Sequence, residues 1–567
     1  MSAERRIGAA GPGRRAAVAL VVGSTVVLVV LPIARLVQVV LREHAGDLDE
    51  VLTAPGLGTA VLNTVVLAVL VTVLAVPAGT LMALGLRRAD LPGRGFWRVG
   101  VLLPVVVPEF VLAYSWTQAY GRAGFTSALF GLEWEGVLGP GGVLVVLVVN
   151  AVPLAYLLAA VGLAARDEPN LERAARACGA SAVTVLRTVT LPLLRPPIAA
   201  ASVLVFVLTL GTFAIPQVMG SPAGFATVTT RIYANLARGS DPFSFVEAVV
   251  LALLLVLLAG LVIAPADAVL GPRLRATRVA QPEGAPIVPV RRAASRWMAA
   301  GLGCYLLVAV ALPLLALVAA ALTRAVGLPP TPDNWTLDNV ASVLDQRTVE
   351  AVGRSLGLAF LAATLLTVLG GCVAVLERGR SGRWLGTLIT LTLVLPGSTL
   401  AVALLITYGR WLGGTLTLVL LAYLAKLWAF AHRPISGALD RLPPQEMHAA
   451  RASGADWLTA VRTVALRPLA PALLCAWLVC FLIALHEVTM SSLLYGPGSE
   501  TLAVVVLNSQ ELGQIGQTAA LAVLLTVAMA VPALLLWLTL RWLRAPQRAS
   551  RHPQRAPART SGGSAHA

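Results

Sequence analysis

The chain has little charge: 12% of its 567 residues are Asp, Glu, Lys or Arg, about half the usage of a soluble domain. A water-soluble fold of this size could not cover its surface with so few polar groups, which excludes a soluble enzyme and a disordered chain. It has a single lysine, Lys426, set in Leu424-Ala-Lys-Leu427 within an apolar run. No phosphate-binding loop of the form GxxxxGK[ST] can be built from it, so ATP is not hydrolysed on this polypeptide. HExxH, GxSxG and His/Cys clusters are absent as well, leaving no catalytic residue, no metal site and no enzyme activity to expect. The five cysteines (Cys178, Cys304, Cys372, Cys475, Cys480) form no CxxC pair and read as small buried hydrophobes. The basic stretch before the first apolar run is not followed by a small-residue cleavage site, so that run is expected to be retained.

The chain is instead rich in apolar residues, at 57% of the total, with a mean hydropathy of +0.82. They come in blocks long enough to cross a bilayer at about 20 residues each. The expectation is an all-α polytopic membrane protein with twelve spans. The first six lie near 17–40, 59–86, 97–119, 141–165, 194–218 and 245–270; the second six near 297–322, 352–376, 384–408, 414–434, 469–494 and 517–543. A connection at 271–296 holds four prolines and six arginines and reads as a cytoplasmic linker between two six-span halves, 17–270 and 297–543. Short segments remain at the ends, 1–16 and a disordered tail at 544–567, both cytoplasmic.

Orientation follows from the cations. With the N-terminus inside, 33 of the 43 fall in cytoplasmic segments and 8 in external ones, which places both termini in the cytoplasm. The net charge of +16 is thereby accounted for by the bilayer, with no nucleic-acid partner. External loops are at most about 30 residues, too short for a substantial domain. Capture of a solute then falls to another polypeptide.

A similarity at an offset of 275 residues carries the function. Ala174, Ala175, Arg176, Gly179, Ala180 and Arg187 recur as Ala449, Ala450, Arg451, Gly454, Ala455 and Arg462. The copies occupy the same cytoplasmic loop of each half, 166–193 and 435–468. Each reads as a short helix, a glycine turn in the left-handed region and a second short helix, after which Pro192 or Pro468 opens the next span. The alternative, a basic amphipathic helix resting on headgroups, gives no reason for the same Ala-Ala-x-x-x-Gly spacing twice.

These loops resemble the EAA loop of type I ABC importer permeases, Glu-Ala-Ala-x-x-x-Gly followed by Leu-Pro. The resemblance implies coupling helices formed by Arg173, Ala174, Ala175, Arg176, Gly179 and Arg187, and by His448, Ala449, Ala450, Arg451, Gly454 and Arg462. Such helices dock on two copies of a separate ATPase subunit, which binds the ATP and Mg; this chain would need no cofactor of its own. The Glu of the motif is replaced by Arg173 and His448, and Leu-Pro by Leu466-Arg467. Further stretches, Leu103-Pro to Tyr114, Thr212 to Gln217, Thr227 to Tyr233 and His486 to Pro497, are similar to fused ferric-iron permeases of the prokaryotic cytoplasmic membrane. The resemblance implies binding-protein-dependent import, with ferric iron as the leading solute and thiamine, phosphonates, polyamines and oxyanions behind it. A twelve-span transporter driven by an ion gradient is the alternative of another class.

Ionisable residues inside spans are costly in hydrocarbon. Glu109 near the middle of the third span, with Tyr114, and His486, Glu487 and Tyr495 in the eleventh are therefore candidates for a translocation pathway. Lys426 and His432 are expected to snorkel to the cytoplasmic face.

Overall fold

A computed structural model describes residues 12–544, apart from 44–45, 90, 167–168, 276–291, 326, 378–382, 393–394, 442–444, 446–448, 451, 456–458 and 460. Much of the 271–296 connection, the tail beyond 544, His448 and Arg451 thus lie outside the described residues. A backbone in lipid must satisfy its own polar groups, which leaves helices as the economical solution for such apolar runs. Among the described residues ten helices are long and apolar enough to span a bilayer, and a further apolar pair of helices is bent by 98° at the place of the expected third span; the expected span at 384–408 does not form one such helix. Among the described residues the only β pairing is two isolated bridges, Thr323 to Trp335 and Gly414 to Tyr495.

The first-half spans begin with α1 (Ala16–Glu43) and α2 (Leu57–Arg88). The expected third span is broken into α3 (Arg94–Val106) and α4 (Glu109–Tyr120). Between them Val107 is extended and Pro108 sits at φ −52°, ψ 138°; the proline ring disfavours a helical residue before it. Then come α5 (Pro140–Arg166), the short α6 (Pro169–Ala177), α7 (Ala182–Leu210), α8 (Val228–Arg238) and α9 (Pro242–Arg275). The second half repeats the order with α10 (Ser295–Leu322) and α11 (Gln346–Leu376). Its expected third span is also broken, into α12 (Arg383–Thr392) and α13 (Gly397–Leu412), with Pro396 capping the second piece. It ends with α14 (Leu416–Leu439), α15 (Leu466–His486), α16 (Thr489–Leu494), α17 (Leu502–Glu511) and α18 (Ile515–Arg544). The fifth and eleventh spans, expected to run to 218 and 494, stop at Leu210 and His486.

Each half is tied by close backbone approach. A Cβ on Gly79 would lie 2.5 Å from the Tyr156 amide nitrogen of α5, and one on Gly370 would lie 2.9 Å from that of His432 in α14. Small residues of this kind let helices pack where no hydrophobic force separates protein from lipid.

The first helix of each half crosses to the other. α1 packs along α13 and α9, touching α11 and α14, while α10 packs along α4 and its own α18. Both crossing helices contain a π turn near their middle, Val26–Val30 in α1 and Leu307–Ala311 in α10, and α1 ends in a second at Val39–Glu43. Such a turn disturbs the regular ladder and leaves a carbonyl open to an outside donor. Tyr408 of α13 donates to the Val27 carbonyl at 2.7 Å, and Tyr120 of α4 to the Val308 carbonyl at 2.6 Å. Trp116 adds a bond from its indole nitrogen to Ala309 at 3.1 Å. Tyr120 and Tyr408 stand 288 positions apart, like Pro108 and Pro396.

Candidate functional site

The repeated loops share one cap geometry. Gly179 has φ +85° and Gly454 φ +89°, a region a side chain enters only at a cost. The amide of Ala180 donates five residues back to Ala175 at 3.0 Å, and that of Ala455 to Ala450 at 3.1 Å, the long bond of a Schellman cap. Nothing lies within 4 Å of a Cβ built on either glycine, so glycine is required for the turn and not for space. Beyond the first turn Ser181 caps the next helix by accepting the Thr184 amide at 3.2 Å. That helix is not the separate short element expected above: it is the start of α7 and continues through a π turn at Leu186–Thr190 into the span. The π turn absorbs the register change before Pro192, which cannot donate to the ladder.

Leu171, Arg173, Ala174, Gly179, Val183 and Arg187 are exposed on the first loop, with Ala175 and Arg176 half-buried. Val183, on the same stretch, is 57% exposed. On the second loop Ala449, Gly454 and Arg462 are exposed and Ala450 is half-buried. Sequence reasoning missed Glu172. Its carboxylate turns inward, accepting from Thr190 at 2.7 Å and from the Arg88 guanidinium, which also donates to Thr190 at 3.0 Å.

Deeper in, the breaks in the two halves hold the ionisable groups. Glu109, the first residue of α4, is half-buried and accepts from Asn150 at 3.2 Å and Thr212 at 3.1 Å. A carboxylate there also faces the positive end of its own helix. In the second half Glu487 bridges the break between α15 and α16, accepting the amides of Met490 at 2.9 Å and Ser491 at 3.2 Å. Ser491 in turn bonds Tyr423 at 2.7 Å. The halves meet here: a Cβ on Gly211 would sit 3.3 Å from Pro396.

The other pathway candidates make bonds of their own. The His486 imidazole engages the Leu482 carbonyl of its own helix at 2.6 Å. Tyr114 donates across the seam to Ile515 at 3.0 Å, and Tyr495 lies at the end of α16 beside Gly414. The Lys426 ammonium, expected to snorkel, bonds the Leu395 carbonyl just before the Pro396 break, and the buried His432 pairs at 3.0 Å with Glu377, which follows the last residue of α11. A further contact between the halves went unread: Glu511 of α17 accepts from Gln217 and from Arg238 of α8, each at 2.9 Å. Among the described residues no three His, Cys, Asp or Glu side chains converge as a metal site.

A family profile described as "Binding-protein-dependent transport system inner membrane component" matches residues 75–276 and 350–545. The chain is 26% identical over 505 residues to the probable ABC transporter permease protein y4fN of Sinorhizobium fredii, covering 83% of this chain and 85% of that one. It is 35% identical over 240 residues to the molybdenum transport system permease protein ModB of Mycobacterium tuberculosis, over 42% of this chain and 88% of that protein. With the putrescine transport system permease protein PotI of Escherichia coli it shares 30% identity over 224 residues, 37% of this chain and 79% of that protein.

Proposed function

Since the chain belongs to the family of binding-protein-dependent transport system inner membrane components, we propose that it is the whole membrane pathway of an ABC importer, both halves on one polypeptide. Two ATPase subunits bearing ATP and Mg dock on the loops around Gly179 and Gly454, with both termini on that cytoplasmic side. An extracytoplasmic binding protein delivers the solute to the opposite face. Closure of the ATPase dimer pushes the two loops together and swings the halves from inward-open to outward-open; hydrolysis resets them.

The observation that carries this reading is the paired cap. Two loops at the same place in each half turn on a glycine near φ +85°, close with the same five-residue bond and present an exposed face. Lipid headgroups do not require such a match; a two-fold motor does.

For the solute, the ModB and PotI names specify molybdenum and putrescine. These favour the oxyanion and polyamine classes over the ferric iron that the sequence resemblance put first. Glu109 and Glu487 flank the place where the halves meet, and a solute would pass between them.

The test is reconstitution of the chain with its ATPase and binding protein in liposomes. ATP-driven uptake is expected from a panel of molybdate, putrescine and chelated ferric iron. Proline at both caps, Gly179→Pro with Gly454→Pro, forbids φ near +85° and should abolish uptake while the protein still inserts. Unchanged uptake in that double variant would refute the coupling assignment.

A further inference from the structure

The carboxylate at the first coupling loop is not offered to the outside. Glu172 lies on α6, yet its side chain is 13% exposed and that of Arg88 18%. The three groups Arg88, Glu172 and Thr190 bond one another in a closed triangle. They come from three elements: the end of α2, the middle of α6 and the π turn that leads into α7. A bond network with three anchors fixes the angle of α6 against two spans at once. Arg is the residue suited to this, since its planar fork donates in two directions without rotating.

The second half carries different residue types at the equivalent positions. The offsets that relate the halves, 288 positions up to the breaks and 275 after them, map Arg88 to Leu376, Glu172 to Met447 and Thr190 to Ala465. Every polar member of the triangle becomes apolar. Leu376 ends α11 just as Arg88 ends α2, so the mapping holds at the level of structure where it can be checked.

We propose that Glu172 is a positioning residue for ATP-driven transport: it locks the first coupling helix to α2 and α7, so that displacement of that loop moves both spans. It does not contact the ATPase. The second half carries Leu376, Met447 and Ala465 at the equivalent positions, none of which can form these polar bonds, so the two loops are mechanically unequal. This inference rests on the coupling reading given above and adds the route by which force leaves the loop.

The experiment uses the full chain co-purified with its ATPase and reconstituted with its binding protein, reading solute taken up per ATP hydrolysed. Glu172→Gln is expected to keep the ATPase bound and hydrolysing while the uptake ratio falls about tenfold, the scale of one lost charge-assisted bond. The swapped pair Arg88→Glu with Glu172→Arg restores the opposite charges and should recover most of the ratio. Met447→Ala, the equivalent place in the other half, should change it little. Thermal unfolding of each variant in detergent separates coupling from folding.

Three results would overturn the proposal. In the first, the ratio in Glu172→Gln stays at the wild-type value. In the second, that variant loses the ATPase on purification, which makes Glu172 a docking or folding residue. In the third, the swapped pair stays at the single-variant level although it is as heat-stable as wild type. A wild-type chain that binds no ATPase and shows no ATP-driven uptake sinks the underlying coupling reading instead, a failure visible before any variant is made.

Discussion

Single residues decide where the two crossing helices are held. Tyr120 and Tyr408 each spend a hydroxyl on the open carbonyl of a π turn, in α10 and α1 respectively. Replacing either by Phe removes the donor and keeps the ring, so the loss is one hydrogen bond of roughly 0.5–1.5 kcal/mol. Tyr408→Phe and Tyr120→Phe are each expected to lower the midpoint of thermal unfolding in detergent, and by similar amounts. The sequence makes Glu109 conspicuous, because an ionisable group amid an apolar run is costly. It does not reveal what holds it. Asn150 and Thr212 stand 41 and 103 positions away, and neither residue type is unusual in a membrane helix. For the same reason the partners of Lys426 and His432 could not be read from the sequence, because the Leu395 carbonyl and the Glu377 carboxylate come from other elements.

At the scale of elements, ten of the twelve expected spans and both glycine caps were legible, since length and a repeated spacing are local properties. The breaks were not. Pro77 and Pro153 lie inside the unbroken helices α2 and α5, so proline alone does not announce a break in a bilayer. At Pro108 and Pro396 the proline itself stands as the N-cap of the new helix, in extended backbone and with no side-chain cap bond. Caps outside the bilayer can be tested directly. Asp345 starts α11 by accepting the Thr348 amide at 2.8 Å. That bond holds its carboxyl below the ordinary carboxylate range. A depressed folded value means stabilisation that is present above the unfolded value of about 3.9 and is lost as the pH falls through the folded one. Asp345→Ala should cost about 1 kcal/mol at neutral pH. The gap between wild type and variant should narrow in unfolding experiments run below pH ~4.

For the molecule as a whole, the duplication and the proline-rich connection near 271–296 announced two halves. Their exchange of first helices left no trace in the sequence. Apolar faces in lipid carry little information about which neighbour they meet, and a contact such as Tyr408 to Val27 spans 381 positions. The exchange makes a prediction about cutting the chain. Breaking it between 276 and 291 and expressing the two pieces together should yield a complex that co-purifies, held by α1 on α13 and by α10 on α4. Removing residues 1–56 from the first piece should instead weaken that complex and lower the unfolding midpoint, because α13 and α9 lose the helix packed along them. Equal recovery with and without α1 would contradict the packing.

The crossing of α1 also sets a timetable for biosynthesis. Ribosomes add roughly 5–20 residues per second, so Tyr408 is made some 20–75 seconds after Val27. During that wait the first helix lies in lipid with its carbonyl unmet and its second-half neighbours not yet translated. Its high mean hydropathy, 2.6 over the best window, lets it stay inserted alone. Any quality control that inspects unpaired helices in the nascent protein would encounter this one first.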